Sequence, residues 1–146
     1  MKLLLATALT ALAGLAAVAS AQSVLILDRP SVVAIFTPDA EVSTSDRNSS
    51  GFDDFIDDFN FYRTELASEL RSNKDVAFIN SSAKTVIFKG AEHAPITRKS
   101  LSGYGFIIYV PGKPPTVFRG VETDSDILCA LQHLAPNINV AQRCAG

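Results

Sequence analysis

Neither sign of charge is in excess in this sequence. Its 146 residues include 13 lysines and arginines against 15 aspartates and glutamates, which gives a formal net charge of −2 at pH 7. Proteins that bind nucleic acid or an anionic membrane surface usually carry a basic excess that neutralises phosphates. We therefore expect no nucleic-acid partner.

Long apolar runs are also scarce, apart from one at the start of the chain. After residue 21, no stretch approaches the roughly 20 apolar residues of a membrane-spanning helix. We therefore expect no membrane span in this part. Residues 22–146 have the size of one compact domain, and Val, Ile and Phe are frequent enough to form a core.

The first 21 residues have the composition of an export signal. Lys2 precedes an apolar run of mostly Leu and Ala over Leu3–Val18, and the small residues Ala19-Ser20-Ala21 come before a cleavage point at Gln22. This pattern predicts a cleaved signal peptide over 1–21. An uncleaved anchor is the less favoured alternative. We expect an exported protein, either periplasmic or secreted.

Cysteine is rare: Cys129 and Cys144 are the two in the chain, and neither starts the mature protein, where a lipid would be attached. In an oxidising compartment, an even pair predicts a structural disulfide. It would close a loop of about 15 residues, hold the tail 137–146 against the last helix and stabilise the fold by roughly 3 kcal/mol. A redox-active pair is the alternative.

The rest of the chain alternates between strand and helix patterns. Short β-branched runs bounded by Pro, Gly and Asp predict strands, and apolar residues at helical spacing predict two helices. Two polar segments, Ala40–Gly51 and Gly90–Ser102, are predicted to be a flexible loop and an irregular stretch. The predicted strands are Ser23–Leu27, Ser31–Phe36, Asp75–Asn80, Lys84–Lys89, Phe106–Val110 and Thr116–Arg119, and the predicted helices are 52–71 and Asp124–Leu134.

One region of this pattern resembles a known family. The stretch from Gly103 to Lys113, then Phe118-Arg119-Gly120-Val121 and the helix from Asp124, resemble the C-terminal half of a thioredoxin-like domain. The strand from Ser31 and the helix from Phe52 match the N-terminal half. The resemblance implies an α/β fold with a central mixed sheet flanked by helices.

The chain departs from this family where the family's redox chemistry resides. Redox-active members carry a Cys-x-x-Cys pair between the first strand and helix, but Thr37–Gly51 contains no cysteine, and Gly105 occupies the place of the family's cis-proline. Thiol–disulfide exchange needs a thiolate with a lowered pKa and a resolving partner. The resemblance therefore implies a scaffold without that activity. The strand Lys84–Lys89 is also additional to the simplest thioredoxin plan.

An acidic cluster is the candidate binding surface. Clustered carboxylates can hold a divalent cation, but the pattern lacks the glycine and the alternating ligands of a calcium loop. The favoured interpretation is a solvated acidic face of the predicted helix, opposite the face that carries its phenylalanines. This acidic face could meet a basic partner protein. The cluster consists of Asp53, Asp54, Asp57 and Asp58.

The two histidines do not form a recognisable ligand set in the sequence. His93 lies in the irregular stretch and His133 near the end of the last helix, and we see no cysteine beside them in a regular metal spacing. We predict no metal site and no cofactor. Asn48-Ser49-Ser50 and Asn80-Ser81-Ser82 fit the glycosylation sequon, which has meaning only in a eukaryotic secretory pathway.

The sequence therefore favours an exported, non-catalytic thioredoxin-like domain. We expect it to act as a protein-binding, inhibitory or accessory module for an unidentified partner in the cell envelope or outside the cell. Its expected binding surface consists of Ala40–Gly51, the acidic helix start and Gly90–Ser102. The alternative is a thiol–disulfide oxidoreductase or redox-sensing protein that uses Cys129 and Cys144.

Overall fold

The structure is a computed structural model that describes residues 23–90, 92–140 and 144. The signal peptide predicted over 1–21 lies outside the described residues. Within them, no helix combines the length and the apolar character needed to cross a membrane. The described residues form, in chain order, β1 (Val24–Leu27), β2 (Ser31–Ile35), a 3-10 turn (Asp39–Glu41), α1 (Thr44–Arg47), α2 (Phe52–Leu70), β3 (Ala77–Ser81), β4 (Thr85–Phe88), β5 (Ile96–Thr97), a second 3-10 turn (Arg98–Leu101), β6 (Gly105–Tyr109), β7 (Thr116–Arg119) and α3 (Asp124–Leu134).

Four of these strands form a mixed sheet in the order β3-β2-β6-β7. β2 and β3 run parallel with α2 between them in the chain, while β6 is antiparallel to β2 and β7 is antiparallel to β6. Both central strands are buried along their whole length, which is the burial that the continuous apolar run of β2 predicts. The predicted α/β class and mixed sheet are thus confirmed.

The other three described strands form a second sheet in the order β1-β4-β5. Leu27 and Phe88 are buried, whereas the register partners Ile26 and Ile87 are exposed. This sheet therefore has one apolar face to bury, and it packs that face against β2 and β6 of the four-stranded sheet. The expectation of helices on the faces of one central sheet needs correction, because a second sheet takes the place of helices on one face.

Helices cover the opposite face. Phe59 and Leu66 of α2 and Leu131 of α3 are buried in a cluster with alternate residues of β2 and β6. Acidic residues in the first turn of α2 complement the helix dipole. The hydroxyl of Thr123 accepts a hydrogen bond from the Asp126 backbone N–H at 3.1 Å and caps α3.

The two polar segments are more regular than their polar composition predicts. Within Ala40–Gly51, Ser43 caps the single turn α1 by accepting from the Asp46 backbone N–H at 3.0 Å. Within Gly90–Ser102, Thr97 accepts from the Ser100 backbone N–H at 3.2 Å at the start of the second 3-10 turn. The prediction of loops was incomplete because Ser and Thr side chains supply local caps that organise short turns.

The predicted disulfide is present. Cys129 and Cys144 are bonded, with their Cα atoms 4.8 Å apart, and 15 residues separate them in sequence. This Cα distance is ordinary for a disulfide. The bond joins the tail to the middle of α3, as the sequence analysis expects.

Candidate functional site

A groove lies where β2, β6 and α2 meet. Ile35 at the end of β2 pairs with Gly105 at the start of β6, so the residues just outside the two strands, Phe36 and Tyr104, lie at the same edge of the sheet. The N-terminal half of α2 borders this edge. Three adjoining hollows of about 230, 320 and 360 Å³ share Tyr104 as a lining residue. We call them together the Tyr104 groove.

Tyr104 is held rigidly at the base of this groove. Its ring lies edge-on to Phe55 and Phe59 of α2, with centroid distances of 5.3 and 5.5 Å, a favourable aromatic arrangement. Burial raises the pKa of the Tyr104 hydroxyl above its usual value, and its contact with the Thr37 side chain lowers it in part. The raised pKa favours the neutral phenol, which can donate as well as accept a hydrogen bond.

Thr37 and Gly103 form a close contact beside Tyr104. The Thr37 hydroxyl donates to the Gly103 carbonyl at 3.0 Å. Gly103 has a φ of 90°, and a Cβ atom at this position would lie 2.4 Å from the Thr37 Oγ1. A side chain is thus excluded at residue 103 by both conformation and space. The contact fixes the chain leaving β2 against the chain entering β6.

A charged pair fixes the outer wall of the groove. The Arg98 guanidinium is buried, donates to the Ser82 carbonyl at 2.6 Å and forms an ion pair with the Glu41 carboxylate. Glu41 also lines the 230 Å³ hollow. Since hydrogen bonds between charged groups are the strong ones, this contact anchors the wall between β2 and α2 to the turn before β6.

The acidic cluster divides into two pairs. Asp53 and Asp57, one turn apart on α2, line the 360 Å³ hollow. Asp54 and Asp58 are also exposed, but each lies about 100° further around the helix, on the flank away from that hollow. Among the charged side chains lining this hollow, Asp39, Asp53 and Asp57 outnumber Arg47, so this rim is negative.

The other predicted surface residues contribute unevenly. From the Gly90–Ser102 stretch, Ser102 lines the 230 Å³ hollow and Arg98 supports the wall, whereas His93 is only half-buried in the connection before β5. Sequence reasoning missed Tyr104 and Thr37. The available signal was the Gly103-Tyr104-Gly105 triplet, because a large aromatic between two glycines beside a buried strand marks a tightly packed position.

A second cluster of reactive groups surrounds the disulfide. The His133 Nε2 lies 3.6 Å from the Cys144 Sγ, and the ligand atoms of Cys129, His133 and Cys144 all lie within 4.8 Å of one another. The interpretation that no cysteine lies beside a histidine in a metal spacing was therefore wrong. Cys129 and His133 are four residues apart, which places them on one face of α3, and this spacing was readable in the sequence.

Comparisons with models of protein families, with curated proteins and with solved structures find no match to this chain in any of the three.

Proposed function

We propose that this chain is an exported, thioredoxin-like domain whose Tyr104 groove binds a protein partner, so that the domain acts as an accessory or inhibitory module. The strand order β3-β2-β6-β7, with a parallel β2-α2-β3 unit followed by a hairpin and a closing helix, supports the proposed resemblance. The groove lies at the end of β2 and the start of α2, where domains of this family bind their substrates.

The chemistry of this junction favours binding without thiol exchange. Thr37–Gly51 carries hydroxyls, carboxylates and one guanidinium where redox-active members carry two cysteines. Such groups recognise a partner by hydrogen bonds and charge, whereas a mixed disulfide requires a thiolate. The groove therefore suits a reversible, non-covalent complex.

The single observation that carries the proposal is an aromatic groove with a carboxylate rim. Phe52, Phe55 and Tyr104 line the 230 Å³ hollow, and Asp53 and Asp57 border the adjoining one. Aromatic surface provides the apolar contact that anchors an interface, and like charges on the rim select a partner of opposite charge. The partner segment that fits combines an apolar or aromatic side chain with a neighbouring lysine or arginine.

The acidic residues of α2 provide a matched test. Asp53→Lys/Asp57→Lys reverses charge beside the groove, and Asp54→Lys/Asp58→Lys makes the same change on the flank away from it. Each pair contains one first-turn and one second-turn aspartate, so the helix-dipole effect is the same in both. Wild-type protein and both variants are immobilised, a partner is recovered from the envelope and extracellular fractions, and its affinity for each is measured.

We expect the groove pair to weaken binding on the order of 10- to 100-fold, which corresponds to a few kcal/mol across a desolvated charged contact. The flank pair should change the affinity by less than about threefold, as rim charges away from a contact do. Equal losses in both variants would mean that net charge alone matters. Unchanged affinity in the groove pair would exclude the groove.

The proposed export has its own test. The mature protein recovered outside the cytoplasm should begin at Gln22 when its N-terminus is sequenced. A protein that stays in the cytoplasm with residues 1–21 attached would contradict this part of the proposal while leaving the groove test intact.

A second candidate function is thiol–disulfide exchange by Cys129 and Cys144. The observation that favours it is the His133 imidazole 3.6 Å from the Cys144 sulfur, because a neighbouring imidazolium stabilises a thiolate. However, Cys129 is in the interior of α3 rather than at its N-terminus. Multiple turnovers in the reduction of a protein disulfide would establish this function, and the loss of turnover in Cys144→Ser would assign it.

A further inference from the structure

We propose that reduction of the Cys129–Cys144 bond creates a binding site for a thiophilic divalent cation of the Zn²⁺ type. The ligands are the two thiolates and the His133 imidazole, and we call this group the C-terminal corner. The proposal does not depend on the Tyr104 groove, because the corner is formed by α3 and the tail.

The ligand atoms already lie close to coordinating distances. Tetrahedral Zn²⁺ with Zn–S and Zn–N bonds of about 2.3 and 2.0 Å separates neighbouring sulfur and nitrogen ligands by about 3.5 Å. The His133 Nε2 is 3.6 Å from the Cys144 Sγ, and all three ligand atoms lie within 4.8 Å of one another. Once the bond is reduced, the two sulfurs need only move apart to admit the ion.

Two elements would hold the ligands in place after reduction. Cys129 and His133 share one face of α3, one turn apart, a spacing that lets two side chains chelate a metal from a helix. The tail that leads to Cys144 has independent anchors: Ile138 is buried in the core, and the Asn139 carbonyl accepts from the Asn73 side-chain amide at 2.8 Å. Cys144 therefore stays near the helix when the covalent bond is gone.

The corner is also open to a cation from solvent. His133 is exposed, and both cysteines are only partly buried. An open hollow of about 560 Å³ adjoins His133 and Cys144. Three protein ligands and an open side leave the fourth tetrahedral position to water, an arrangement found in zinc sites that exchange their fourth ligand.

The cycle needs a dithiol as reductant and a disulfide as oxidant. A dithiol reductant transfers two electrons and two protons to the disulfide, which gives two thiols and leaves the reductant as a cyclic disulfide. Binding of Zn²⁺ then releases the two thiol protons to solvent. Reoxidation by a disulfide oxidant, which accepts two electrons and two protons and becomes two thiols, re-forms the S–S bond and expels the ion. The corner thus holds metal only in the reduced state.

The test titrates the full exported chain with Co²⁺ and Zn²⁺ before and after reduction by a phosphine, which does not compete as a thiol ligand. We expect one Co²⁺ per reduced chain, with the near-ultraviolet charge-transfer band of cobalt–thiolate bonds, and displacement of this ion by Zn²⁺. Calorimetry in buffers of different ionisation enthalpy should show close to two protons released. The oxidised chain should show neither signal.

The histidines supply a matched pair of variants. His133→Ala leaves the disulfide intact because the side chain is exposed, and it should weaken Zn²⁺ binding by the reduced chain on the order of tenfold or more by removing one protein ligand. His93→Ala, distant in sequence, should leave binding unchanged. Absence of the charge-transfer band in the reduced chain, equal binding by the oxidised chain, or full affinity in His133→Ala would each overturn the proposal.

Discussion

The two faces of the four-stranded sheet are covered in different ways. Alternate residues of β2 and β6 point to opposite faces: Val32 and Phe106 pack against α2 and α3, whereas Val33 and Ile107 pack against the second sheet. Both faces of these two central strands are buried. The helix face bears the Tyr104 groove, because Tyr104 belongs to the same cluster as α2. The sheet face stabilises the fold, and the Arg98–Glu41 pair is one of its links to the groove.

Because of this difference, mutations on the two faces should have different effects on stability and on partner binding. A change on the helix face disturbs both the core and the groove, since Phe59 contacts the Tyr104 ring as well as Phe106. A change on the sheet face disturbs the core alone. Mutations on each face therefore test this difference.

Two phenylalanines allow a direct comparison of the faces. Phe59, on the helix face, and Phe88, on the sheet face, are 1% and 3% exposed. Phe59→Ala and Phe88→Ala should each lower the free energy of unfolding by about 3–5 kcal/mol, since each leaves a cavity in a packed cluster. Chemical denaturation measures this loss. Partner binding at a temperature where both variants are folded should fall only for Phe59→Ala, and equal binding losses would remove the distinction between the faces.

Loss of the disulfide should affect the helix face locally. Cys129→Ala/Cys144→Ala opens a loop of about 15 residues and should lower the free energy of unfolding by about 3 kcal/mol. Because the bond attaches the tail to α3, amide hydrogen exchange should accelerate in the second half of α3 and remain unchanged in β1 and β4. Uniform acceleration throughout the chain would show that the two faces do not unfold separately.

The Arg98–Glu41 pair is a link between the faces. Arg98→Met keeps the apolar stem of the side chain but removes the ion pair with Glu41 and the hydrogen bond to the Ser82 carbonyl, so we expect a loss of about 1–3 kcal/mol in the free energy of unfolding. The groove wall that contains Glu41 should loosen, with weaker partner binding. Lys99→Met, an exposed neighbour, serves as the control and should change stability by less than about 0.5 kcal/mol. Equal losses of stability and of partner affinity in Arg98→Met and Lys99→Met would contradict the proposed link.

The smallest expected effect concerns the Tyr104 hydroxyl at alkaline pH. The pKa of Tyr104 is raised in the folded state, so folding favours the neutral phenol. This contribution is fully present below the unfolded pKa, about 10, and is lost as the pH rises through the folded pKa. Urea midpoints should therefore fall more steeply above about pH 10 for wild type than for Tyr104→Phe. Parallel curves would contradict the raised pKa.

The helices and the last hairpin were predictable because their signals are local. The Phe and Leu spacing of α2, the Thr123 cap of α3 and the Pro111–Pro114 turn between β6 and β7 each depend on neighbouring residues. The pairing of β1 with β4 joins residues about 60 positions apart, and nothing in either short strand specifies its partner. Tyr104 was missed for the same reason: its environment is supplied by α2 and β2, both distant in sequence.

The acidic cluster shows what a sequence pattern can predict and what it cannot. The four aspartates were recognised together because they are adjacent in sequence, but the geometry of the helix assigns Asp53 and Asp57 to the groove and Asp54 and Asp58 to the other flank. A sequence pattern specifies the helix faces. It does not specify which face borders a cavity, because the opposite wall comes from another part of the chain.

The most direct test of the proposed groove is site-specific photocrosslinking in the cells that make the protein. A benzophenone amino acid replaces Phe52, which lines two of the hollows, or Phe61, which is 58% exposed and lies half a turn around the helix from it. After irradiation, we predict a covalent adduct with one partner protein from position 52 and none from position 61. The same adduct in equal yield from both positions, or an adduct from position 61 alone, would contradict binding through the Tyr104 groove.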